Sequence, residues 1–155
     1  MENDHSPLDL RLRSLLCDAH LSAKQVGGAA YDVCIPAALR EWVVSVRMTE
    51  AWVSLRTYVL ALPDSAEPRA ALLEAAMHAN GRMSLTKFSL ADENALHLDL
   101  EYRQEHLDSS VLRNLVCLAV KVGEAEYPRL FRIATAEAAL DSLESAFNRS
   151  GPDAY

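Results

Sequence analysis

From Thr86 to Arg103 apolar side chains fall on alternate positions. Thr86, Phe88 and Leu90 share one side of a strand, and residues Ala91 to Asn94 supply a turn. Leu96, Leu98, Leu100 and Tyr102 then alternate with His97, Asp99, Glu101 and Arg103. A period of two is strand geometry, with one face toward a core and the other toward water. An isolated hairpin is marginal in water, so this one needs more strands or a helical layer against its apolar face.

The rest of the chain supplies both. Trp42, Val44, Val46 and Met48 share one face of a predicted strand over 41–48, with Val43, Ser45 and Arg47 on the other. Over 51–61, Val53, Leu55, Thr57 and Val59 alternate with Trp52, Ser54, Arg56 and Tyr58, and Thr49-Glu50 between the two strands suits a hairpin turn. Tyr31, Val33 and Ile35 mark a shorter edge strand before Pro36.

Helical periodicity flanks these strands. Ser6 and Pro7 are a cap and first helical position, followed by Leu8, Leu12, Leu15, Leu16, Ala19 and Ala23 at helical spacing. Gly27-Gly28 stops that helix at about residue 25. A second helix carries Ala70, Leu72, Leu73, Ala76 and Met77, and Asn80-Gly81 closes it with a left-handed cap. A third starts at Asp108 or Ser109, runs through Leu112, Leu115, Val116, Ala119 and Val120, and is expected to kink or end at Tyr127 before Pro128. A last amphipathic segment, about 135–148, carries Leu140, Leu143 and Phe147, and the tail from Ser150 is expected to fray. The order is α-β-β-β-α-β-β-α plus a C-terminal helix: one α+β domain over residues 1–155, core about 7–133, with an antiparallel sheet packed by helices.

Composition narrows the function. Fifteen basic residues against 22 acidic ones give a net charge of −7, which disfavours nucleic acid and anionic membranes as partners. No stretch reaches the length of a membrane span, and Met1-Glu2-Asn3-Asp4-His5 is not a signal sequence. Cys17, Cys34 and Cys117 do not form a disulfide framework and read as reduced, mostly buried thiols of a cytoplasmic protein. There is no phosphate-binding glycine loop and no nucleophile elbow. Cys17-Asp18-Ala19-His20 lacks a second pair of metal ligands. No cofactor, metal or catalytic residue is expected. His97, Asp99 and Glu101 are a solvated strand face on one reading and a polar site for a small-molecule binder or enzyme on another. Trp42 reads as core rather than as a binding hot spot.

Five stretches together resemble the type III secretion chaperone-like fold, which includes the Tir-chaperone (CesT-like) and YbjN-like families. They are Leu12-x-x-Leu15-Leu16; Trp42 to Val46 with Val53-x-Leu55; the short helix ending at Ala79-Asn80; Lys87 to Leu98; and Ala125-Glu126-Tyr127-Pro128-Arg129-Leu130, whose Tyr-Pro favours the YbjN-like branch. The resemblance implies a non-catalytic bacterial homodimer that binds an extended segment of a partner protein, either a secreted cargo or a regulatory target. Leu12, Leu15 and Leu16 of the first helix, with Trp52 and Tyr58, are the candidate partner-binding residues.

Overall fold

The computed structural model describes residues 6–92 and 94–149, with side chains through Ala136 apart from that of Asp92. The terminal tail and the apolar stripe at Leu140, Leu143 and Phe147 therefore lie outside the described side chains. The elements are α1 (Pro7–Asp18), β1 (Ala23–Gln25), β2 (Ala30–Pro36), β3 (Glu41–Met48), β4 (Trp52–Ala61), α2 (Ala66–Arg82), β5 (Thr86–Asp92), β6 (Ala95–Arg103), a 3-10 turn (Gln104–His106) and α3 (Ser109–Arg149). The six strands form one antiparallel sheet in the order β1-β2-β3-β4-β6-β5. The α+β class and the two hairpins are as the alternation predicts.

The helices cover one face of the sheet. Trp42, Val44, Val46 and Met48 of β3, Val53, Leu55, Thr57 and Val59 of β4, and Leu96, Leu98 and Leu100 of β6 point into the core. There they meet Leu12 and Leu16 of α1, Leu72 of α2, and Leu112, Val116 and Leu130 of α3. The opposite face is open to solvent.

Four features differ from the sequence reading. First, α1 stops at Asp18, not at about residue 25, and residues 23–25 become an additional strand. His20 takes a left-handed φ of 55°. Its N–H donates to the Cys17 carbonyl, and the Leu21 N–H donates to the Leu16 carbonyl. That bond pair is the Schellman motif, usually built on glycine; with histidine in the left-handed position the stop carries no sequence flag. Gly27 and Gly28 serve the β1–β2 turn instead, with positive φ at both.

Second, α2 does not end in a left-handed cap at Gly81. It runs to Arg82, and Met83 is extended. Lys87 Nζ donates to the Asn80 and Met83 carbonyls at its C-terminal end, where the helix dipole favours a cation.

Third, α3 passes through Pro128 without ending. An interior proline costs a helix roughly 3 kcal/mol, so packing must hold both flanks. Leu130 is fully buried. Tyr127 meets Trp42 edge-on at 6.1 Å and stacks on Phe131 at 5.5 Å, bracketing the proline. The helix expected as a separate C-terminal element is the continuation of α3.

Fourth, all three cysteines are exposed and free, not buried. Cys17 and Cys117 sit outside the apolar stripes of their helices, and Cys34 points to the open sheet face.

Candidate partner-binding surface

The five residues singled out in the sequence fall in two places. Leu12 and Leu16 are 0% and 2% exposed and Leu15 is half-buried. Leu12 and Leu16 are enclosed by this chain's own core and present no free surface, a correction to their reading as contact residues. Trp52 and Tyr58 lie on the open sheet face, 42% and 47% exposed. Trp52 opens β4 and Tyr58 lies further along it, roughly 20 Å away at strand rise, so they mark two separate contact points.

Each aromatic ring leans on its partner across the strands. Trp52 pairs with Arg103, whose guanidinium carbon lies 5.1 Å from the ring centre. Tyr58 pairs with His97, ring centres 5.9 Å apart and nearly perpendicular. Between them lies a polar depression lined by Ser45, Arg47, Ser54, Arg56, Asp99 and Glu101. Arg56 grips Asp99 with two bonds of 2.7 and 2.9 Å, and Ser89 Oγ donates to the same carboxylate at 2.6 Å. Burial alone would raise the Asp99 pKa; the bonds from Arg56 and Ser89 outweigh it and hold the carboxyl below its usual range. Asp99 is thus committed to structural bonds. A lowered pKa stabilises the folded state above about pH 4, where an unfolded aspartate ionises, and that contribution is lost as pH falls through the folded value. Arg56→Gln is therefore expected to cost under about 1 kcal/mol at pH 7, because the pair is half-exposed. Its deficit should be smaller at pH 3 than at pH 7, because part of the Asp99 contribution is lost once pH falls below the unfolded value. Urea unfolding of both proteins at the two pH values measures this, and a deficit unchanged at pH 3 would contradict it.

At the far end of β4 the sheet forks. The β3–β4 ladder runs from Met48↔Val53 to Val44↔Thr57 and stops there. β3 continues beside β2 to Pro36↔Glu41, and β4 continues beside β6 to Ala61↔Ala95. Arg40, just before β3, fills the crotch of the fork. Its guanidinium lies 3.8 Å over the Trp42 ring, 4.9 Å from Tyr127 and 5.7 Å from Tyr58, and it donates to the Tyr58 carbonyl. Glu124 braces the site from α3, accepting from Trp42 Nε1 at 2.6 Å and from the Leu39 N–H at 3.1 Å. Beyond Arg40 a groove of ≈ 300 Å³ opens between Tyr58–Pro63 and the Tyr127–Thr135 stretch of α3.

The β5 side carries a further apolar patch. Met77 of α2 is 73% exposed, with Leu85 just before β5 at 53% and Leu90 within it at 49%. The outer edge of β5 is closed at its centre by Asn80. Its side-chain amide donates to the Phe88 carbonyl at 3.0 Å and accepts from the Phe88 N–H at 2.6 Å.

Sequence reasoning missed Arg40 and Phe131, and took Tyr127 only as part of a fold pattern. Arg40 sits in a turn between strands, and only the register of three strands and a helix brings it to the aromatic rings. Among the described residues no group of acids, histidines and cysteines is arranged to hold a metal, and no helix is long and apolar enough to cross a membrane.

An α1 helix, a six-stranded antiparallel sheet and a long closing helix are the type III secretion chaperone-like fold. A chain of the HopA1–SchA chaperone–effector complex matches with a TM-score of 0.55 at 13% identity, over 76% of this chain and 92% of that one. YbjN from E. coli, a proposed transcription regulator, matches with a TM-score of 0.51 at 16% identity, over 87% and 94%. No protein-family model matches the chain, and no curated protein matches it in sequence.

Proposed function

We propose that this protein is a non-catalytic binding module of the bacterial cytoplasm that works as a homodimer. It holds an extended segment of a partner protein, as a secretion-type chaperone or a regulatory adaptor. The observation that carries this reading is the open sheet face, where Trp52 and Tyr58 stand about half exposed at two separated points along one strand. Two distant aromatic anchors suit an extended chain better than a compact ligand. The fold shared with a chain of a chaperone–effector complex supports it. The polar depression supports an enzyme less well, because its central carboxylate is already held by Arg56 and Ser89.

The second copy is assigned to the α2–β5 patch, since exposed Met77, Leu85 and Leu90 are side chains a lone subunit would leave in water. Light scattering is expected to give twice the 17.1 kDa of one chain, and Met77→Glu should return it to the single-chain mass with its helix content intact. A wild-type protein of single-chain mass at micromolar concentration would refute the homodimer. For the partner, the tagged protein captured from its own cytoplasm should retain a stoichiometric protein whose bound segment is poorly folded when alone. Recovery of this chain by itself would overturn the binding-module reading.

A further inference from the structure

We propose that the forked end of the sheet is a docking groove for a stretch of partner chain that sets an aspartate or glutamate beside a bulky apolar side chain, with Arg40 receiving the carboxylate. The proposal rests on the binding-module reading and gives it a site and a ligand chemistry.

Three features of the fork support it. The first is backbone. Over Tyr58–Ala61, β4 pairs with β6 but has lost β3, so the side that β3 would cover faces the groove. A strand side without its neighbour is where an extended segment can add. The outer edge of β5 is a poorer place, because Asn80 already occupies both polar groups of Phe88, whereas in the fork Arg40 takes only the Tyr58 carbonyl.

The second is charge. Among the described residues that line the groove, Arg40 is the one cation and none is a carboxylate. Arg56, Arg82, Arg103 and Arg129 each have a carboxylate within 4.0 Å. Arg40 has none among the described residues, although Glu124 is close enough for its charge to be felt. Both Glu124 oxygens face Trp42 and Leu39 instead. Three aromatic rings and the Tyr58 carbonyl hold the guanidinium in place. It is a partly desolvated, preorganised cation, and a carboxylate is its strongest complement.

The third is shape. Phe131 is 46% exposed and Tyr58 47%, and both line the groove, Phe131 from α3 and Tyr58 from β4. Leu60 and Leu62 line it as well. An apolar side chain next to the acid would lie between those rings while the acid meets Arg40.

The test is a titration of the isotope-labelled full chain, followed by its backbone amide and indole resonances. The probe is an acetylated, amidated peptide with one glutamate between a phenylalanine and a leucine in a glycine–serine frame. Its counterpart carries glutamine. The glutamate peptide is expected to shift Leu60, Ala61 and the Trp42 indole N–H. The glutamine peptide should bind about tenfold more weakly or worse. Arg40→Gln should abolish the difference between the two, and Phe131→Ser should weaken both. Equal affinity of the two peptides for the wild-type protein, or shifts confined to α2 and β5, would overturn the proposal. That comparison needs no variant, so a folding defect in Arg40→Gln leaves it decisive. A natural partner mapped to another surface would also overturn this site while sparing the binding-module reading. Groove binding with the expected preference, in a protein that captures no partner, would spare the site and sink that reading.

Discussion

Trp42→Ala is expected to cost about 4 kcal/mol of folding stability, the largest loss for any single side chain of this protein. The ring is fully buried and lies where three layers meet. Arg40 covers one face, Tyr127 meets it edge-on, and Nε1 donates to Glu124 at 2.6 Å. Truncation leaves a cavity the size of an indole and removes the bond from Nε1 to Glu124 on α3. The opposite change tests the same contact. A Cβ added at Gly123 would sit 2.7 Å from Cη2 and 2.8 Å from Cζ3 of that ring. The indole is pinned by Glu124 and cannot slide away. Gly123→Ala should therefore lose about 1–2 kcal/mol net, since overpacking exceeds the roughly 1 kcal/mol that alanine gains in a helix. Trp42→Phe in the Gly123→Ala background should recover part of that loss, because the two sites share one contact. Chemical unfolding of the four proteins checks the cycle. Gly123→Ala as stable as wild type would show that the helix and ring are not in this register.

Asn80→Leu is the second large effect, at about 2–3 kcal/mol. The substitution keeps roughly the volume and removes both bonds to Phe88, leaving a part-buried N–H and carbonyl without partners. It also bares the middle of an edge strand, the usual template for unwanted pairing between chains. The variant should unfold at lower urea and aggregate faster at high concentration, whereas Asn80→Asp, which can still accept from the Phe88 N–H, should fall between the two. Unchanged stability and solubility would mean that the Asn80 clasp has no structural weight.

The fate of each sequence expectation follows from how local its cause is. The alternation in β3, β4 and β6 marks a sheet with one wet face, and the wet face is where it was expected: Trp52, Tyr58 and Glu101 are exposed, while Trp42 is core. Boundaries set by a single backbone conformation were less legible. His20 stops α1 in a position that ordinarily shows as glycine, and the three-residue β1 is too short to carry a period. Pro128 looks like a terminator because local propensity opposes it; only the tertiary contacts of Tyr127, Leu130 and Phe131 hold the helix through it. The α1 stripe could belong to core or surface by spacing alone, and Leu12 and Leu16 are core. The fork and its arginine depend on where a ladder stops, and residue type does not encode that.

Hydrogen exchange on the chain, free and with a captured partner bound, tests the central claim most directly. The account predicts that a partner segment which exchanges freely in isolation becomes protected in the complex. Matching protection should appear on this chain in β4 near Trp52 and over Tyr58–Ala61. A partner that binds as a folded body, with no newly protected segment and no change along β4, would contradict it.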